Sequence, residues 1–327
     1  MDVHPLIWAG FVAFVLGMLA MDLFLFHREA HEVTTREAAM WTVIWMSMGL
    51  AFTFVIWGWQ GGSHAGEYVT GYLLEYSLSA DNIFVFVLIF GYFAVPKDLQ
   101  HRVLFWGILG ALVFRAGFII AGAALLERFE FMFYVFGGFL VITGIRMARH
   151  DEVEVNPDKN IVLRGFRRLF KVTPTYEGQR FFVVKDGIRM ATPLLAVLIV
   201  VETTDVIFAV DSIPAIFGVT KEPFIVFTSN AFAILGLRAL YFLLASMVAR
   251  FQYLQLGLSA ILVFIGVKML GEASHLFDVP ILLSLGFIVL TLTIAVVASL
   301  RKETKAPAGE AEYHTGEGLQ ELTDDDG

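Results

Sequence analysis

Five carboxylates stand inside otherwise apolar stretches of the 327-residue chain, Glu75 and Asp81 in one and Glu202, Asp205 and Asp211 in another. Two arginines, Arg115 and Arg238, occupy similar stretches, and Asp22 lies toward the end of a further one. At the centre of a bilayer each carboxylate costs about 2.5–3.5 kcal/mol on insertion scales, so the five represent on the order of 10 kcal/mol. A purely structural protein gains nothing evident from that cost. Two arginines cannot neutralise five acids, and a bound divalent cation or protons must offset the excess. Close carboxylates cannot all ionise without a cation, so protons are expected to share the empty site and to leave when metal binds.

The donor set restricts the ion. The carboxylates, the Asn82 amide and the hydroxyls of Ser77, Ser79, Ser212, Thr203 and Thr204 are all oxygen donors, which suit Mg²⁺, Ca²⁺ or Mn²⁺. Asn82 and Ser212 would serve equally well as small polar groups that pack helices. All eight histidines (His4, His27, His31, His64, His101, His150, His275 and His314) fall in loops or at the ends of apolar stretches, which disfavours a midplane Zn²⁺ or Cu²⁺ site. Cysteine is absent, so thiolate ligands, disulfides and cysteine nucleophiles are excluded. No nucleotide-binding loop, catalytic triad or midplane histidine supports an enzyme, and no prosthetic group or nucleic-acid partner is expected.

Spacing alone does not bring the acids together. Glu75 and Asp81 are about 120° apart around a regular helix, and Glu202 and Asp211 lie on nearly opposite faces. Pro214 removes the hydrogen bond to the carbonyl of Val210, so a kink or unwound turn beside Asp211 is expected.

The elements that must position these groups are membrane-spanning helices. Hydrophobic residues make up 57% of the chain and charged residues 17%, well below the roughly 25% charge of a soluble domain. Nine apolar runs approach the length needed to cross a hydrocarbon core of roughly 30 Å. They run from Leu6 to Phe26, Met40 to Trp59, Glu67 to Phe93, Val103 to Leu126, Phe131 to Met147, Pro193 to Phe217, Pro223 to Ala249, Gly257 to Leu270 and Val279 to Leu300. The first has no basic residue before it and no small-residue cleavage pattern after it, so it is expected to be retained. Of the lysines and arginines outside the runs, all but Arg128 and Lys221 fall on one side. The positive-inside rule therefore places the N-terminus outside and the C-terminus in the cytoplasm.

The segment 149–190, which holds much of this basic charge, reads as a solvated cytoplasmic loop attracted to anionic lipid. The tail 301–327, ending in Asp324, Asp325 and Asp326, reads as acidic and disordered, and the net charge of −8 is concentrated there. Within the remaining chain, a transmembrane domain of residues 1–300, a repeat emerges. Asp81-Asn82-Ile83-Phe84 resembles Asp205-Val206-Ile207-Phe208, Arg115-Ala116 resembles Arg238-Ala239, and the segment 140–147 resembles 262–269. The offsets of 124, 123 and 122 are nearly constant. A duplicated unit with an odd number of spans, here about 65–148 and about 190–272, enters the membrane from opposite sides in its two copies. Such inverted repeats are common in secondary transporters, whose sites lie near the midplane.

The run from Gly71 to Phe86, the run from Glu202 to Ala215, the segment Gln100 to Gly107, and Met21-Asp22-Leu23 followed by His27-Arg28 together resemble the TerC family of integral membrane proteins, in particular its Alx-type members. The resemblance covers roughly residues 1 to 300. It implies nine spans, a bacterial inner-membrane location and Mn²⁺ export, with an association with tellurite resistance. The family's acidic positions carry over onto Glu75, Asp81, Glu202, Asp205 and Asp211 without substitution.

The expected protein is thus an all-α polytopic membrane protein of about nine transmembrane helices. Its third to fifth and sixth to eighth helices form an inverted repeat. The expected activity is export of divalent metal, Mn²⁺ first, by proton-coupled alternating access. The expected metal site comprises Glu75, Asp81, Asn82, Glu202, Asp205, Asp211 and Ser212, with Arg115 and Arg238 as charge partners and Asp22 as a weaker entry candidate. The alternatives are a membrane scaffold or assembly factor in metal or tellurite stress, and a cation channel. Oligomeric partners are left open.

Overall fold

The computed structural model describes residues 3–21, 34–149, 161–185, 187–245 and 253–301. Eleven helices follow in order: α1 Pro5–Met21, α2 Thr35–Gln60, α3 Gly62–Tyr92, α4 Lys97–Arg128, α5 Met132–Arg149, α6 Ile161–Leu169, α7 Pro193–Phe217, α8 Pro223–Leu235, α9 Leu237–Ala245, α10 Leu254–Ala273 and α11 Ile281–Arg301. A hairpin of β1 Phe182–Lys185 and β2 Ile188–Ala191 sits between α6 and α7. Local chemistry sets several starts. Thr34 caps α2 by accepting a hydrogen bond from the Glu37 N–H at 3.3 Å, and Pro193 and Pro223 open α7 and α8 where no amide hydrogen is needed.

Seven helices among the described residues are long and apolar enough to cross a bilayer: α2, α3, α4, α5, α7, α10 and α11. The pair α8–α9, bent by 43° at Gly236, makes an eighth span if taken as one. The first expected span coincides with α1, of which 17 apolar residues are described; its expected continuation to Phe26, and with it Asp22, lies outside the described residues. The chain is an all-α polytopic membrane protein, and its outward-facing side chains suit a lipid solvent. Leu6, Phe54, Ile120 and Leu282 are each at least 70% exposed.

Three apolar clusters form the interior. One joins α1, α2, α3 and α8 through Phe11, Ile56, Tyr68 and Phe232; a second joins α3, α7 and α10 through Leu74, Ile213 and Ile265. The third packs the ends of α3, α4, α7 and α9 against the segment between α5 and α7. That segment differs from the plain solvated loop expected over 149–190. Leu163, Phe166, Val172, Val183 and Ala191 are buried, the Tyr176 hydroxyl donates to the Phe93 carbonyl at 2.7 Å, and Arg102 on α4 donates to Gln179 at 3.1 Å. Burial pushes the Tyr176 phenol above its ordinary pKa, so it remains a neutral donor. Phe166→Ala removes one of these anchors and is expected to cost about 3 kcal/mol of docking. Faster trypsin cleavage at Arg164, Arg168 and Lys171, in otherwise intact protein, would report it. The expected tail lies almost wholly outside the described residues.

The seam between α5 and α10 is close-packed at two glycines, Gly144 and Gly266. A Cβ on Gly144 would stand 2.8 Å from Val263 and 2.9 Å from the Ser259 carbonyl oxygen; one on Gly266 would stand 2.8 Å from Val141 and 2.7 Å from the Gly137 carbonyl oxygen. With the offset of 122, Gly144 maps onto Gly266, Val141 onto Val263 and Gly137 onto Ser259. The contacts are therefore reciprocal between the two helices. Small residues let the two backbones approach this closely.

The helix break lies elsewhere than expected. Helix α7 is continuous through Asp211, and Pro214 falls in its last turn, so one hydrogen bond is lost where few residues remain to be displaced. The bend is instead at Gly236, two residues before Arg238, whereas the matching α4 is a single helix of 32 residues.

Candidate cation site

The acids divide into groups instead of converging. Arg115 projects from α4 between α3 and α7 and is 1% exposed. Its Nη2 and Nε donate to the two oxygens of Asp205 at 3.1 and 3.4 Å, and its Nη1 pairs with Glu75 Oε1 and donates to Ser212 Oγ at 3.4 Å. Glu75 and Asp205 are themselves buried. One guanidinium thus ties three helices together, using the planar fork that suits bidentate carboxylate binding. Ser79 donates to the same Glu75 oxygen at 3.4 Å, while Glu75 Oε2 has no hydrogen-bond partner.

Asp81 and Asp211 lie outside this clamp. Together with Asn82 and Ser212 they line a cavity of about 420 Å³ between α3, α5, α7 and α10, where Thr143 and Arg146 also border it. Both acids are half-buried, and Asn82 and Ser212 are buried. Asp81 on α3 and Asp211 on α7 border the same cavity without the unwound turn that the sequence suggested. Ser212 belongs to both groups, accepting from Arg115 and facing the cavity.

Glu202 takes a third position. Its carboxyl group lies against Gly110 of α4, so closely that a Cβ there would overlap it, and its Oε2 is buried without a hydrogen-bond partner among the described residues. Among the described residues no three acidic or histidine side chains gather as a metal cluster, so the single site expected from all five acids is not formed. Arg238 is buried in α9 just beyond the Gly236 bend. Ser77, Thr203 and Thr204 donate to the carbonyls of Leu73, Ile199 and Val200 in their own helices. Those hydroxyls serve helix backbone, so Ser79 and Ser212 are left nearest the acids.

A second cavity, of about 790 Å³, was not foreseen. It lies at the opposite end of the bundle from the β-hairpin and is bordered by Glu127, Glu130, Glu222 and Glu272 with Lys221 and His275. The Lys221 ammonium sits 4.4 Å from the Phe133 ring centroid, and Lys268 is 3.5 Å from Glu272. The signal for it was present in the sequence, since these acids flank the ends of the fourth, seventh and eighth expected spans.

Comparison with known proteins bears on this arrangement. A membrane protein of Myxococcus xanthus, called uncharacterized membrane protein STKORF319, is 51% identical over 309 residues, covering 94% of this chain and 96% of the relative. Proteins of Salmonella typhi and Escherichia coli K12, described as candidate membrane-bound redox modulators and named Alx, are 48% and 47% identical over 90% of this chain and 93% and 94% of their own lengths. No solved structure matches the chain. The family model described as integral membrane protein TerC family matches residues 60–306, which include every described acid of the clamp and of the cavity. The chain therefore belongs to the TerC family of integral membrane proteins.

Proposed function

We propose that this protein moves a divalent cation across the membrane, Mn²⁺ first among the candidates, through the cavity of Asp81, Asn82, Asp211 and Ser212. One observation carries the reading: two carboxylates, an amide and a hydroxyl, contributed by helices from both sequence copies, line one cavity inside the membrane-spanning bundle. The cavity is large for a bare ion. At about 30 Å³ per water, its 420 Å³ holds a cation that keeps several of its waters, which suits Mg²⁺ and ions that resemble it in coordination. Oxygen donors without histidine or thiolate favour the same ions over Zn²⁺ or Cu²⁺.

The preference for Mn²⁺ and the outward direction follow from the family resemblance. The basic α6 and hairpin face would lie in the cytoplasm by the positive-inside rule, in a bacterial inner membrane. Alternating access by two inverted units, with protons returning to the acids as metal leaves, is the mechanism we assign. The chain would act without a prosthetic group, and not as an enzyme. The name of the Alx relatives fits this reading in one respect: with no cysteine in the chain, a redox effect through its own thiols is not available, whereas moving a redox-active metal would alter redox balance indirectly.

Cells producing Asp211→Asn at wild-type abundance are expected to retain Mn when challenged with it, while removal of residues 302–327 leaves cellular Mn at the wild-type level. A scaffold working through its tail reverses the pattern. Equal Mn content in wild-type and Asp211→Asn cells removes the proposed role.

A further inference from the structure

The Arg115 clamp is itself built like a cation site whose cation is part of the chain. Around the guanidinium stand two carboxylates, Glu75 from α3 and Asp205 from α7, and two hydroxyls: Ser212 accepts from the guanidinium, and Ser79 donates to Glu75. These are the hard oxygen donors that a divalent ion takes. Each of the four is nine-tenths or more buried. Arg115 brings one positive charge to two negative ones. The remaining charge resides in a group whose Glu75 Oε2 has no hydrogen-bond partner among the described residues. Deleting the guanidinium would leave a buried oxygen cage matched in charge to a divalent ion.

We propose that Arg115 is a tethered cation that determines specificity. It occupies the Glu75–Asp205 pair, excludes divalent metal from it and confines the transported ion to the Asp81–Asp211 cavity. Ser212 is the point of contact between the two, since its hydroxyl meets Arg115 and also faces the cavity. The resident cation thereby keeps the protein to one metal ion at a time. Two adjacent ions would each hinder the other's entry, and an ion held by the buried pair would leave slowly. This inference rests on the transport reading above, but it fails independently of it.

The test is the number of Mn²⁺ ions bound by purified full-length protein in detergent, measured by equilibrium dialysis with manganese chloride as the only divalent salt. Wild type is expected to bind one. Arg115→Gln is expected to bind two, and Arg115→Gln/Glu75→Gln to return to one, because the freed pair has lost a carboxylate. Arg115→Lys keeps the charge without the fork, and it too is expected to bind one. If Arg115→Gln does not fold without metal, manganese chloride present throughout purification is expected to restore its folding by filling the freed pair, whereas the loss of a merely structural arginine is not rescued by Mn²⁺, and absence of that rescue overturns the inference. Under a merely structural role, Lys and Gln would both loosen the clamp without adding an ion. One Mn²⁺ in Arg115→Gln, two in Arg115→Lys, or two in wild type would overturn the tethered-cation inference and leave the transport reading standing. No Mn²⁺ in wild type would overturn both.

Discussion

Purified protein carrying Asp81→Asn and Asp211→Asn together is expected to lose Mn²⁺ binding altogether, with each single substitution weakening it at least about 100-fold. The reasoning is electrostatic. Among the described residues these two supply all the formal negative charge that lines the cavity, while Asn82 and Ser212 supply neutral oxygens and Arg146 borders it with positive charge. A divalent cation leaving water for such a place needs carboxylates to replace its hydration, and an amide oxygen offers a dipole where a full charge is required. Asn is nearly isosteric with Asp, so the cavity keeps its shape and packing is unaffected. The two variants should therefore unfold near the wild-type temperature in detergent. Isothermal titration with manganese chloride reads the affinity directly, and wild-type affinity in the double variant would show that the cavity holds no cation. Titration with zinc chloride supplies the control for ligand type, because a site of hard oxygens should show no strong preference for zinc.

The second large effect concerns stability. Gly266→Val is expected to destabilise the protein by about 3 kcal/mol or to prevent its accumulation, because two well-packed backbones would have to separate to admit the side chain. Even a bare Cβ at that position would meet the Gly137 carbonyl oxygen at 2.7 Å and the Val141 nitrogen at 2.9 Å, and backbone atoms cannot turn aside as a side chain can. Gly144→Val should behave alike, since its Cβ faces the Ser259 carbonyl oxygen and the Val263 nitrogen. Gly138 supplies the comparison within α5: nothing lies within 4 Å of its Cβ position, so Gly138→Ala should be neutral or stabilising by up to about 1 kcal/mol through helix propensity. Thermal unfolding of detergent-solubilised protein, followed by the loss of soluble monodisperse material, separates the three. A Gly266→Val protein as stable as Gly138→Ala would mean that the seam is looser than described.

What could be read from residues alone was set by how local each feature is. The spans were legible because apolar runs of this length leave few alternatives, and α7 was placed at Pro193 to Phe217 by the proline that opens it. The identity of the acids was legible for the same reason, since a carboxylate in such a run stands out. Their partition was not. Which carboxylate Arg115 takes depends on how α4 crosses α3 and α7, and helical spacing within one segment carries no information about that crossing. Pro214 suggested a broken α7 because its missing hydrogen bond was counted without regard to the distance from the helix end. The actual bend, at Gly236, falls well past Pro223, which opens that segment, where nothing in the pattern but the glycine itself marks it. The β-hairpin could have been found: Phe182-Val183-Val184 and Ile188-Arg189-Met190 flank Lys185-Asp186-Gly187, and an Asp-Gly pair between such runs is a strong two-residue hairpin signal, with Gly187 at φ 75°. The weight of basic charge in that segment drew attention away from its alternation.

The unbroken course of α7 has a mechanical consequence. Asp205, which answers to Arg115, and Asp211, which faces the cavity, ride on one stiff rod about 9 Å apart along its axis. A tilt or roll of that rod large enough to pull Asp205 from the guanidinium must carry Asp211 through the same angle. Grip on the internal charge and grip on the travelling ion are geared together, and neither can slacken while the other stays fixed.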